Sequence, residues 1–129
     1  MSEKTIKNWV ALAEYDFETA GAMLKANRYL YVVFTCQQCV EKIMKAFYVI
    51  EHKKTPPHTH NLFTLLNELS FGKEVLQLYS QLFEDLNSYY IESRYAETLQ
   101  EISKELTKEN AAELYTQTGV LFQWFKARM

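Results

Sequence analysis

The stretch YLYVVFTCQQCVEKIMKAFYVIEH, residues 29–52, sets the reading of the chain. Tyr29, Val32, Val33, Cys36, Val40, Ile43, Phe47 and Ile50 recur at spacings of three and four. At about 100° per residue they draw one apolar arc along a helix. Cys36 lies at the centre of that arc and Cys39 at its edge, while Gln38, Glu41, Lys42 and Lys45 lie away from it. Tyr31, Phe34, Tyr48 and Val49 fall outside the main stripe, so a second apolar surface is expected. Such a helix sits at the centre of a bundle or in a dimer interface.

The same period continues on either side. Ile6, Trp9, Val10, Ala13, Phe17, Ala20 and Leu24 mark a first helix over about Thr5 to Asn27, with Gly21 marking a close approach of another helix. KANRY reads as the turn between them. KKTPPHTHN ends the second helix, because two prolines cannot continue it, and Thr59 is the expected N-cap of the next one. That short helix carries Leu62, Leu65, Leu66 and Leu69, and SFGK stops it. Another long helix, about Lys73 to Glu92, carries Val75, Tyr79, Leu82, Phe83, Leu86, Tyr89 and Tyr90. SRYAETLQEISKE is polar and less regular, and reads as a loop with a helical turn. The last helix starts near Thr107 and buries Ala111, Leu114, Tyr115, Thr118, Leu121, Phe122 and Phe125.

Strand signals are nearly absent. The expectation is an all-α fold: an up-and-down antiparallel four-helix bundle with one short additional helix, in a single domain over residues 1–129. The composition agrees, with 48% hydrophobic residues, three Gly and two Pro in 129 residues. Nine Tyr and eight Phe point to surface aromatics that need a partner as well as to a full core.

Net charge is −2, so no strongly basic nucleic-acid face is announced. Residues 1–60 hold eight Lys/Arg and six Asp/Glu, whereas residues 61–129 hold six and ten. Lys42, Lys45, Lys53 and Lys54 form a modest basic strip, read first as a solvated face. No apolar run approaches the ~18 residues of a membrane span. MSEKTIKNWV has no signal-peptide apolar region, so a cytoplasmic protein without membrane attachment is expected.

Cys36 and Cys39 could suggest redox or zinc chemistry. A redox pair needs its first cysteine at a helix start after a strand, where the dipole lowers its pKa. This pair lies about two turns inside a helix. A zinc site would need His58 and His60, giving C-x2-C-x18-H-x-H, which matches no finger spacing. Buried thiols are the better reading, and no metal or cofactor is expected. His58 and His60 stand two apart in a proline-fixed loop, poor joint ligands there; one of them caps or packs against the adjacent helix end, or the loop places an imidazole for polar recognition. Arg94 follows NSYYIES at a helix end, as a salt-bridge residue or a phosphate ligand beside tyrosines. Asp16, at the margin of the first stripe, needs a partner among Lys42, Lys45 and Arg94.

Four segments in order resemble one family. WVALAEYDFETAGAML is similar to its first-helix pattern, and FTCQQCVEKIMKAF to its Gln-Gln, Glu-Lys and second Lys motif. PPHTHNLFTLL resembles its His-Asx-Leu entry into a short helix, and YYIESRYAE its Tyr…Arg-Tyr-Pro element. This is the HEPN family, named for higher eukaryote and prokaryote nucleotide binding, and the resemblance runs from Trp9 to about Glu97. It implies a helical bundle, a homodimer, and a place beside a minimal nucleotidyltransferase in toxin–antitoxin modules. Some members are metal-independent ribonucleases that use an Arg and a His separated by four to six residues. Here those positions are Leu99, Gln100 and Glu101, and no His occurs after His60. Ala96 stands where the family commonly has Pro. The resemblance therefore implies a module that binds a nucleotide, RNA or a nucleotidyltransferase. Arg94, Tyr95, Tyr90, Lys42 and Lys45 are the binding candidates. The alternatives are a ribonuclease using Arg94 with His60 or His58, since arginine cannot exchange a proton near neutral pH, and a purely structural dimerisation domain.

Overall fold

The computed structural model describes residues 3–92 and 99–129. Among these there are six helices and no strand: α1 (Glu3–Lys25), α2 (Tyr29–His52), α3 (Leu62–Asn67), α4 (Gly72–Glu92), α5 (Leu99–Glu105) and α6 (Lys108–Lys126). Four are long and two short. The chain turns between α1 and α2 at Asn27, which takes the left-handed conformation that asparagine tolerates well. α1 and α2 then pack along one another, and α2 also meets α3, α4 and α6.

That position explains why α2 is buried on nearly all sides. Val32, Val33, Cys36, Cys39, Val40, Ile43, Met44, Phe47, Tyr48 and Val49 all join the core. The second apolar surface expected on this helix is thus covered from within the chain at Tyr48 and Val49, whereas Tyr31 stays exposed. Ile50, expected in the buried stripe, is exposed, because the helix is about to end there. Lys53 closes α2 in the left-handed conformation, its N–H donating to the Val49 carbonyl.

Two glycines bring α1 and α6 together. A Cβ on Gly21 would lie 2.9 Å from the Tyr115 hydroxyl, and one on Gly119 would lie 2.9 Å from the Phe17 ring. Phe17 and Tyr115 stack with centroids 4.7 Å apart. Each helix thus offers a bare backbone to the other's aromatic ring.

Two local expectations are corrected. The N-cap of α3 is Asn61, not Thr59: its side chain accepts from the Phe63 and Thr64 N–H groups. Thr59 sits two residues back, its hydroxyl accepting from the Asn61 N–H. The segment after α4, expected as a loop with a helical turn, contains α5, whose Ile102 buries with the following Leu106. Spacing by four was present, but the polar residues around it hid a one-sided helix. Thr107 caps α6 as expected, accepting from the Asn110 N–H.

Candidate functional site

Gln37, Glu41 and Lys45 follow one another at four-residue steps, so they share one face of α2. Glu41 and Lys45 were expected to lie away from the packed side. All three are buried instead. A helical stripe ranks residues against one neighbour, but here the loop after α2 comes back over the other side. Pro56 in that loop is buried, and His60 arrives above Glu41.

The resulting network is specific. Glu41 Oε1 accepts from His60 Nδ1 at 2.9 Å and from Gln37 Nε2 at 3.4 Å. Glu41 Oε2 takes the Lys45 ammonium at 3.1 Å. Gln37 Nε2 also donates to the His60 carbonyl at 2.8 Å, which ties the loop backbone to α2. The Lys45 ammonium lies 5.6 Å from the centroid of the Trp9 ring. The Glu41 and Lys45 side chains are 6% and 9% exposed, so the pair is held largely out of water. Gln37 Oε1 is buried without a hydrogen-bond partner among the described residues.

His60 is the element of this network that reaches solvent, with 58% of its side chain exposed. In the neutral imidazole, donation from Nδ1 to the carboxylate fixes the tautomer and leaves Nε2 as the acceptor. Its ring lies 5.6 Å from that of Tyr90, which in turn meets Phe34 edge-on at 5.1 Å. Tyr90, one of the binding candidates, is itself largely buried. Its place beside Phe34 and His60 makes it a wall of the site. The Leu62 N–H donates to Asn87 Oδ1, so α4 also holds the start of α3.

Lys42 lies on an adjacent side of α2 and binds Asp16 at 2.5 Å, which identifies the partner that Asp16 requires. His58 is exposed and stands apart from the Glu41 network. Arg94 and Tyr95 lie outside the described residues, two and three positions beyond the end of α4. The structure therefore brings together His60, Glu41, Lys45, Gln37 and Tyr90.

The cysteines contribute packing. Both are buried free thiols. Burial pushes Cys36 up to about 12, with the nearby Thr118 hydroxyl offsetting part of the effect. Cys39 is raised further, first by burial and then by the neighbouring Cys36 and acidic groups. Thiols so far from ionisation are poor nucleophiles and poor metal ligands. Among the described residues no group of three or more His, Cys, Asp or Glu is placed to hold a metal. No helix among them is long and apolar enough to cross a membrane.

Residue reasoning named His60 but missed its partner Glu41. The signal was available in the four-residue ladder of Gln37, Glu41 and Lys45, since a polar ladder on a central helix must find cover or partners.

With this geometry in place, comparison with known proteins gives the class. The sequence matches the HEPN domain over residues 6–128, and the chain belongs to that family. A protein of Methanocaldococcus jannaschii named "Putative toxin MJ1304" is 31% identical over 120 residues, covering 85% of this chain and 78% of the relative. No solved structure gives a significant match.

Proposed function

We propose that this chain is a toxin-like HEPN protein that binds RNA or a nucleotide at the edge formed by His60 and the end of α4. The observation that carries the reading is the exposed His60 imidazole, fixed by buried Glu41 and flanked by Tyr90. A side chain of this kind is a ready hydrogen-bond partner for phosphate or a base edge, and its orientation costs nothing on binding because the pair is already formed. Arg94 supplies the guanidinium fork for phosphate, and Tyr95 a ring for stacking. Lys42 and Lys45 act on the ligand only through the field of their ion pairs. In the same reading the four long helices run up and down, two copies pair as a homodimer, and a minimal nucleotidyltransferase is the partner protein. The toxin name of the archaeal relative supports the class of activity.

Fluorescence anisotropy with single-stranded RNA tests the site. His60→Ala and Arg94→Ala should each weaken binding about tenfold while thermal unfolding stays cooperative. Unchanged affinity in both variants removes the proposal. Size in solution tests pairing, and a clean monomer at micromolar concentration overturns the dimer.

A second reading, a ribonuclease, is favoured by one detail: Nδ1 is engaged by Glu41, so Nε2 is the free proton acceptor that general-base catalysis requires. RNA cut by the wild type and left intact by His60→Gln would support it. Wild-type protein inert across mixed RNA substrates would discard it and leave binding alone.

A further inference from the structure

A groove between α4 and α6 is unused by everything above. It consists of two adjoining depressions that share Gln81 and Gln117. One, of about 380 Å³, is lined by Leu78, Tyr79, Leu82 and Val120. The other, of about 220 Å³, is lined by Asp85, Asn110 and Glu113. α4 departs from helical geometry at Tyr79, within the wall of the apolar half.

The two halves differ in chemistry. Leu78 is 60% exposed and Val120 55%, one on each helix, facing a depression rather than scattered on a convex surface. In the other half, Gln81 Nε2 donates to Asp85 Oδ1 at 2.9 Å and Gln117 Nε2 donates to Glu113 Oε1 at 3.1 Å. Each glutamine thus spends an amide donor on its own helix, and the carboxylates keep further acceptor capacity for an outside donor. Among the described residues no Lys or Arg lines either depression. The surrounding half of the chain, residues 61–129, carries ten acidic and six basic residues.

We infer that this groove docks an amphipathic helix of a different protein, carrying aliphatic residues one turn apart followed by Lys or Arg. The aliphatic residues fill the Leu78–Val120 end, and the cation meets Asp85 and Glu113. From Leu78 to Asp85 the wall is about 10 Å long at helical rise, so two turns of the partner helix suffice. Charge argues for a foreign occupant. A second copy seated groove to groove would set Asp85 and Glu113 against a lining that holds no Lys or Arg among the described residues. Tyr89 at the end of α4 also lines the acidic half, but Val120 and Glu113 lie on α6, away from the His60 edge, so this inference stands or falls separately from the RNA-binding reading.

The test uses the full chain, immobilised and panned at low salt against a display library of random 16-residue peptides. Enriched peptides should pair aliphatic residues at three- or four-residue spacing with Lys or Arg. By anisotropy, Val120→Glu and Glu113→Lys should each weaken an enriched peptide at least tenfold. Leu12→Glu, at an exposed leucine on α1, should leave it unchanged. A peptide with its cations changed to Glu should regain binding to Glu113→Lys, which a merely unfolded variant would not give. Three results overturn the inference: no peptide depends on the groove, the enriched peptides are acidic, or Val120→Glu splits a dimer into monomers, which would assign the groove to a second copy.

Discussion

Two sides of α2 handle burial in opposite ways. On one, Cys36 and Cys39 are taken out of water as neutral thiols, and their proton is held more firmly for it. On the other, Glu41 and Lys45 are taken out of water together and joined by Gln37 and His60. The first side needs nothing from the rest of the chain except close packing. The second needs the loop after α2 to return in one register, because His60 and the Gln37 contact both depend on it. The difference teaches that a sulfur pair in a helix can be chemically silent while the carboxylate two residues further on organises the exposed edge.

The largest effect should come from breaking the polar side. Glu41→Ala leaves the Lys45 ammonium buried without its carboxylate, and removing one partner of a buried pair costs about 3 kcal/mol or more. Urea unfolding measures this, and a loss below about 1 kcal/mol would mean that water reaches Lys45. The double change Glu41→Leu with Lys45→Met should restore most of the stability, since apolar groups of similar volume need no partner. It should still weaken RNA binding, because His60 loses its anchor. Next in size is Asp16→Ala. The Lys42 side chain is 20% exposed and can turn to water, so the cost should be about 1–2 kcal/mol. A cost equal to that of Glu41→Ala would erase the distinction between the two pairs.

Asn61→Ala should cost about 1 kcal/mol by removing the cap of α3. It should also loosen the adjacent His60, read as broadening of its imidazole NMR signals. Thr59→Ala should have the smaller effect of the two, and the reverse order would return the cap to Thr59. The last effect is absent at neutral pH and confined to alkaline pH. A thiol whose folded pKa is raised from 9.0 to about 12 stays protonated in the fold while the unfolded chain releases its proton. The contribution of Cys36 is therefore fully present below about pH 9 and lost progressively between pH 9 and 12. A Cys36→Ala, Cys39→Ala protein should show a shallower fall in stability over that range than the wild type. The native thiols should also resist a disulfide reagent at pH 8 until urea exposes them.

Helix positions were legible because their causes are local. α2 runs from Tyr29 to His52 as its period indicates, and Thr107 caps α6 because a hydroxyl before a helical run has few better uses. The burial of Glu41 was not legible, since a helical wheel measures angles about one axis and contains no information on a loop that returns from residues 53–61. The cap at Asn61 was missed for a related reason: Thr59 and Asn61 are both competent, and backbone geometry chooses between them. α5 was hidden by brevity and polarity; among its described side chains Ile102 is buried, together with the Leu106 after it. His60 stood out as a polar residue in a proline-fixed loop, but its orientation needed the carboxylate beneath it. The roles of Arg94 and Tyr95 rest on the family motif.

The all-round burial of α2 also bears on how the molecule moves. It packs against α1, α3, α4 and α6, so the detachment of any one of them leaves the other three on α2. Its central amides should therefore exchange with solvent deuterium only through global unfolding, while the first turns of α1 and the short α3 exchange through smaller openings. Amide exchange would then report the stability of the whole fold from α2, and a slow clock running at one rate from Val40 to Phe47 is its expected signature.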